Sequence, residues 1–334
     1  MSDAAPGEGY VLGGSADSDA AREAESVRVA AIDCGTNSIR LLIADYADGE
    51  LTEVDRQMRV VRLGQGVDAS GAFAADALVR TFAACAEYAE IVRAAGVDRL
   101  RFVATSAARD VSNRDEFFAG VSERLGVMPD IISGAEEAAL SFQGATSGLA
   151  ALEVPGPYLV ADIGGGSTEL VLGDADGVIA SESLDMGSVR MTERHLHSDP
   201  ATVEEMAAAT KDVDALLDST VVPLSKARCL IGVAGTVTTV AAVALKLTEY
   251  DPGVIHHAKI PADLLLDTTS WLMGSTRMAR AEVPAIHPGR VDVIGAGALI
   301  LQRLHDRLDY DGVLVSEHDI LDGVALALAR VETV

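Results

Sequence analysis

From Val27 onward, apolar and polar positions alternate in three consecutive runs, VRVAAID (27–33), SIRLLIADY (38–46) and ELTEVDRQMRVVRL (50–63), parted by short polar turns. A period of two residues predicts half-buried strands joined as hairpins. The period then lengthens. Past a Gly-rich link, GQGVDASG (64–71), the side chains Leu78, Phe82, Cys85, Ala89 and Val92 recur at steps of four and three, which predicts a helix over 75–95. A buried strand, LRFVAT (100–105), follows and ends in the polar turn SAARDVSN (106–113). Helices are then expected around EFFAGVSERLG (116–126) and AEEAALSFQGATSGL (135–149).

Pro155-Gly156-Pro157 punctuates the chain, and the same order starts again. Strands are expected at YLVADI (158–163), TELVLGD (168–174) and GVIASESLDM (177–186), then an amphipathic helix over 202–218, strand CLIGVAG (229–235) and helix TVTTVAAVALKL (236–247). Helices near 262–279 and 291–307, a short strand GVLVS (312–316) and a closing helix complete the pattern. Three strands followed by alternating helix and strand, twice over, predict an α/β protein of two ribonuclease-H-like domains, 27–153 and 154–334, facing across a cleft. The last helix is free to pack back on the first domain. Ligands in such sheets sit at strand ends.

Composition narrows the function. The chain has 334 residues, 49% of them hydrophobic, enough for two ordinary cores. No apolar run approaches the ~20 residues needed to span a bilayer, and the first residues lack the basic start and apolar block of a secretory signal. A cytoplasmic protein without membrane partners is expected. The formal charge of −25 argues against nucleic-acid binding, which needs a basic face to displace counterions. Cys34, Cys85 and Cys229 show no metal or disulfide spacing and read as reduced thiols. Four of the 26 basic residues are lysines, so most positive charge is guanidinium, the fork that suits phosphate. Residues 1–26, with six acids against one Arg and no periodicity, read as a disordered acidic tail.

One turn occurs twice. Aligning Asp33 with Asp162, an offset of 129, sets Gly35 on Gly164, Thr36 on Gly165, Asn37 on Gly166, Ser38 on Ser167 and Leu41 on Leu170. Each copy puts an acid at the end of a buried strand, then small residues whose N–H groups can approach an anion, then a hydroxyl. Successive backbone donors of this kind form a phosphate-sized concavity without a cationic side chain, and glycine permits the close approach. The copies differ where Arg40 corresponds to Glu169. Asp162 and Glu169 bracket the second turn, and both can converge on one hydrated Mg²⁺, an ion that takes oxygen ligands and few protein contacts.

Six segments together, AIDCGTNSIRLLIAD, ATSAARD, SGAEEAALSF, VADIGGGSTELVLG, GVAGTVTT and GRVDVIGAGALIL, resemble the exopolyphosphatase/guanosine pentaphosphate phosphohydrolase (Ppx/GppA) family. That family belongs to the actin, sugar kinase and Hsp70 superfamily, and the resemblance runs from residue 27 to about 330. It implies Mg²⁺-assisted attack of water on a terminal phosphate, with Mn²⁺ as substitute metal. The implied substrate is inorganic polyphosphate or guanosine pentaphosphate. It also implies a homodimer and inhibition by guanosine tetraphosphate.

Position by position, the resemblance makes Asp33, Gly35, Thr36, Asn37 and Ser38 the first phosphate loop, and Gly164, Gly165, Gly166, Ser167 and Thr168 the second. Asp162 and Glu169 match the metal-side carboxylates, and Glu137 the catalytic base. Glu136 points about 100° away around the helix, so one carboxylate of the pair can aim at the water. Arg62, Arg109 and Arg190 are candidate phosphate clamps, with ordinary ion pairs as the alternative. Gly235 and Thr236 match the region that approaches a distal phosphate, and a strand-to-helix turn with Thr as N-cap explains them as well. Longer members carry a C-terminal HD-type domain that this sequence lacks, which points to short chains. Cys34 reads as a small buried hydrophobe, and His256-His257 as loop. An acceptor kinase and a non-catalytic polyphosphate or alarmone sensor are the competing readings.

Overall fold

Two β-sheets carry the chain in the computed structural model, which describes residues 26–109 and 111–331. The acidic tail expected over 1–26 lies, but for Ser26, outside the described residues. The first sheet comprises β1 (Val27–Cys34), β2 (Ser38–Ala47), β3 (Glu50–Val60), β4 (Arg99–Ala104) and β5 (Asp130–Ile131), ordered β3-β2-β1-β4-β5. The first three strands run antiparallel, whereas β4 and β5 run parallel to β1. The second comprises β6 (Tyr158–Ile163), β7 (Thr168–Asp174), β8 (Gly177–Leu184), β9 (Cys229–Val233), β10 (Lys259–Ile260) and β11 (Val313–Val315), ordered β10-β11-β9-β6-β7-β8. With β6, β7, β8, β9 and β11 standing for the first five, this is the ribonuclease-H-like order twice. The short β10 is an antiparallel edge.

Burial follows position in the sheet. From Val29 to Cys34, β1 is buried on both faces because helices cover each side of its centre. The edge strand β3 has no fully buried residue and carries Glu50, Glu53, Asp55, Arg56 and Arg59, charges that discourage edge pairing.

The chain crosses between the sheets twice. The helix Gly134–Ala145 precedes the second sheet in sequence but packs against β6, β7 and β8. The closing helix Ile320–Ala329 follows that sheet yet packs against β1, β2 and β4. The two helices also cross each other, and they do so at glycines. A Cβ on Gly144 would lie 1.8 Å from the Asp319 carbonyl oxygen, and one on Gly323 would lie 2.0 Å from that of Leu140.

Several details depart from the periodicity. Strands β5 and β10, two residues each, are too short to show any period. The expected polar turn contains one helical turn, Ser106–Arg109, and the Gly-rich link another, Val67–Ser70. The helix expected near 262–279 is two, Ala262–Gly274 and Arg277–Ala281, because Thr276 caps a new start by accepting the Ala279 N–H at 3.1 Å. Strand β9 stops at Val233 and the next helix, Ala234–Ala244, begins earlier than expected, so Thr236 lies inside it rather than at its cap. A further helix, Ser188–His195, gives no sequence signal. Its Ser188, Val189 and Arg190 N–H groups donate to the Gly164 and Gly165 carbonyls, so tertiary contact sets its start. Among the described residues no helix is long and apolar enough to cross a membrane.

Candidate active site

Each repeated turn closes a hairpin in the same register. Asp33 faces Arg40 across β1 and β2, and Asp162 faces Glu169 across β6 and β7. The Gly35 N–H donates to the Ser38 carbonyl at 3.0 Å, and the Gly164 N–H to that of Ser167 at 3.1 Å, again 129 residues apart. The two bends meet: a Cβ on Gly165 would lie 2.9 Å from the Thr36 Cβ. Between them opens a cleft of about 730 Å³, counting the space open to solvent.

Of the residues singled out from the sequence, Asp33, Gly35, Thr36, Asn37, Ser38, Glu137, Asp162, Gly164, Gly165, Ser167, Gly235 and Thr236 line this cavity. Six others do not. Thr168 is wholly buried, and its hydroxyl donates to the Met186 carbonyl at 2.5 Å. Gly166 lies behind the bend, its carbonyl accepting from Arg190 Nε at 2.7 Å; the Arg190 guanidinium then pairs with Asp68 of the Gly-rich link. Arg62 pairs with Asp292 at 3.0 Å. Arg109 sits on Glu137 and donates to the Ile132 carbonyl at 3.2 Å. Glu169 is buried one layer back, its Oε1 accepting from the Ser183 hydroxyl at 2.7 Å.

Glu136 and Glu137 separate as helix geometry requires. Ser133 caps the helix by accepting the Glu136 N–H at 3.2 Å, and the Glu136 carboxylate turns outward to Arg101 at 2.9 Å. Glu137 turns inward, 6% exposed, into the cavity. Burial and the nearby Glu169 push its pKa well above the ordinary carboxylate value, against the pull of Arg109. Asp162, which accepts from the Ser141 hydroxyl at 2.7 Å, is pushed up to about 8 by burial, Glu169 and Asp319. Burial also raises Asp33 and Glu169.

Raised carboxyls in one dry cleft mean excess negative charge. Among the described residues no three His, Cys, Asp or Glu side chains close into a ready metal cage. A hydrated Mg²⁺ needs fewer direct ligands than that. Asp33 Oδ1 is buried with no hydrogen-bond partner among the described residues, and Asp33 and Asp162 line the same cavity. These oxygens fit a hard divalent cation. Glu169, expected to share it, is buried one layer back on Ser183, and its charge raises the Asp162 pKa.

Arg40, the counterpart of Glu169 in the first turn, also lines the cavity, and sequence reading passed over Thr105, Ser188 and Arg290 as cavity residues. Arg290 belongs to the segment GRVDVIGAGALIL, which gave a signal without marking the residue. Its guanidinium donates to the Gly235 carbonyl and to Thr239 Oγ1 at 3.0 Å, and no carboxylate among the described residues pairs with it. Burial pulls its pKa below the usual guanidinium value. A Cβ on Gly235 would lie 1.9 Å from that guanidinium, so glycine is what lets it reach the cavity. Arg290, Arg40, Ala234 and Gly235 also line an adjoining cavity of about 1140 Å³, walled by Tyr250, Pro252, Pro284, Ala285, Pro288 and Leu321.

A model of the Ppx/GppA phosphatase family matches residues 42–331. Exopolyphosphatase 2 of Mycobacterium tuberculosis is 51% identical over 317 residues, covering 90% of this chain and 98% of that protein. The crystal structure of an exopolyphosphatase-like protein superposes with a TM-score of 0.88 at 45% identity, over 91% of this chain and 98% of that one. The guanosine-5'-triphosphate,3'-diphosphate pyrophosphatase of Vibrio atlanticus is 30% identical over 89% of this chain and 58% of its own length.

Proposed function

Because the chain belongs to the Ppx/GppA phosphatase family, we propose that it hydrolyses the terminal phosphoanhydride bond of inorganic polyphosphate, releasing orthophosphate, with short chains as its substrate. The observation that carries this reading is the meeting of two anion-binding bends over one cavity into which Glu137 projects. Consecutive phosphoryl groups lie between the Gly35–Ser38 and Gly164–Ser167 bends, where N–H groups other than the turn-closing ones of Gly35 and Gly164, together with the Ser38 hydroxyl, take the oxygens. Such preset donors stabilise charge that develops in the transition state.

Glu137 accepts the proton of the attacking water at a carboxylate oxygen, and Arg109 orients that carboxylate. A phosphoanhydride leaving group needs little acid assistance, so one base is enough. Arg290 meets the charge of the next phosphoryl group. Asp162 and Asp33 Oδ1 would hold Mg²⁺, or Mn²⁺ in its place, with Glu169 behind Asp162; when bound, the ion supplies Lewis-acid neutralisation of the phosphoryl oxygens. The resemblance to the family further supports a cytoplasmic homodimer inhibited by guanosine tetraphosphate.

Guanosine pentaphosphate is the second reading. It rests on the adjoining cavity, whose apolar walls and Tyr250 have room for a nucleoside beside the phosphate cleft, and on the 30% identical Vibrio relative. Phosphate release with Mg²⁺ is to be measured over tri-, tetra- and long-chain polyphosphate and guanosine pentaphosphate, without any acceptor. Fastest release from the short chains supports the first reading, and fastest release from the nucleotide replaces it with the second. No release from any of them would end both.

A further inference from the structure

Arg40 lies between two carboxylates that come from opposite ends of the chain. Its Nη2 and Nε both donate to the single oxygen Asp33 Oδ2, at 2.6 and 3.2 Å, while Nη1 is drawn the other way onto Asp319 Oδ2. Asp33 Oδ1 is therefore left buried and, among the described residues, unpartnered, on a side chain that lines the phosphate cavity. This arrangement is unusual for the groups concerned. A guanidinium beside one carboxylate prefers the fork, two parallel N–H donors on two oxygens, and that fork would cover Oδ1.

Asp319 is held firmly enough to prevent it. Its Oδ1 accepts the Leu321 N–H at 3.0 Å as the N-cap of the closing helix, and its own N–H donates to Asp322 Oδ2 at 3.0 Å in a capping box. Asp322 is in turn tied to Arg56 of β3 at 2.7 Å. The closing helix is fixed against the first sheet and against the helix bearing Glu137. Asp319 thus reaches Arg40 from a rigid element with one oxygen already committed to its cap.

We propose that Asp319 is a positioning residue: by holding one end of the Arg40 guanidinium, it keeps Arg40 from forking across both Asp33 oxygens and leaves Oδ1 unpartnered for the divalent cation. The inference rests on the metal-assisted reading above. Its effect is on metal affinity, which is measured without turnover.

The test is direct Mn²⁺ binding to the full-length, metal-stripped protein, read from the electron paramagnetic resonance signal of free Mn²⁺. Asp319→Asn keeps a capping oxygen but turns an amide N–H₂ toward Arg40. The Mn²⁺ dissociation constant is expected to rise fivefold or more, with a melting curve still cooperative. Asp319→Glu is expected to recover affinity to within about twofold of the native protein.

A double-mutant cycle separates positioning from the mere loss of a negative charge. In an Arg40→Met background no guanidinium remains to restrain, so Asp319→Asn is expected to change the dissociation constant less than twofold. Arg40→Met alone is expected to bind Mn²⁺ no more weakly than the native protein. Unchanged affinity in Asp319→Asn, an equal loss in both backgrounds, or weaker binding in Arg40→Met each overturns the proposal. Native protein that binds Mn²⁺ but releases no phosphate from any substrate sinks the hydrolase reading instead.

Discussion

Gly323 of the closing helix rests against the Leu140 carbonyl of the helix that carries Glu137, so close that a Cβ would come within 2.0 Å of the oxygen. Gly144 makes the reciprocal approach to Asp319. Backbone therefore meets backbone where the two crossing segments join the sheets. Replacing Gly323 with Ala forces these helices apart, and overpacking of this kind costs about 1–3 kcal/mol. A loss of unfolding free energy of that size, read as a lower urea midpoint, together with lower activity because the Glu137 helix shifts, is expected. An unchanged midpoint would mean that the crossing has slack.

Glu137 provides the second prediction. Glu137→Gln keeps the shape but removes the proton acceptor, so kcat should fall about 10²–10⁴-fold, the usual worth of a positioned general base. Binding of short polyphosphate should persist in calorimetry. A loss of only a few fold would take the base role away from Glu137.

Arg109 opposes the burial that raises the Glu137 pKa. Removing the cation with Arg109→Met leaves burial and Glu169 unopposed, so Glu137 holds its proton to higher pH. The acid limb of the kcat/KM profile should therefore move upward in pH. A limb that stays in place, with only KM raised, would make Arg109 a phosphate ligand and not an orienting residue.

Arg290 reaches the cavity with no carboxylate partner among the described residues. A charge-assisted hydrogen bond is worth about 1.5–3 kcal/mol, so Arg290→Met should raise KM for short polyphosphate roughly ten- to a hundredfold and lower kcat much less. Steady-state kinetics with tri- and tetraphosphate check it. Equal losses in both parameters would place Arg290 on the reacting phosphoryl group.

The stacked imidazoles predict acid lability. His256 lies 3.6 Å from the His257 ring and 4.4 Å from that of His318, centroid to centroid, and its Nδ1 accepts the Glu317 N–H at 3.2 Å. Burial, His318 and His257 lower its pKa from 6.5 to about 4. Above pH 6.5 the ring is neutral whether the chain is folded or unfolded, and the contribution to stability is complete. As the pH falls toward 4 the unfolded chain takes up the proton first, so stability declines across that window. The raised carboxyls of the cleft act in the opposite direction over this range, so the check is the difference: the urea midpoint of the native protein minus that of His256→Gln should shrink in the order pH 7.5, 6 and 5.

How much of this was legible beforehand depends on the length scale of the signal. Strands β1–β4, β6–β9 and the duplicated turn were readable because period and spacing are local properties, and register in a tight hairpin is fixed by the turn itself. Residues on those turns therefore appeared together in one cavity, and Glu137 parted from Glu136 by the plain rotation of a helix. Thr168 was misassigned for a related reason: it begins β7, and alternation sends its side chain to the face away from the bend.

By itself, the sequence determined two copies of a strand-turn-strand unit and the acid at the end of each first strand, since backbone dihedrals and hydrophobic period need only near neighbours. Tertiary structure alone decided which guanidinium opens on the cavity and which is consumed by a carboxylate. Arg62, Arg109 and Arg190 are engaged by Asp292, Glu137 and Asp68, whereas Arg290 reaches the cavity over a glycine and Arg40 is shared between Asp33 and Asp319, the latter 279 positions along the chain. A long side chain takes its partner from whatever packing brings within reach, and no period in the sequence encodes that distance.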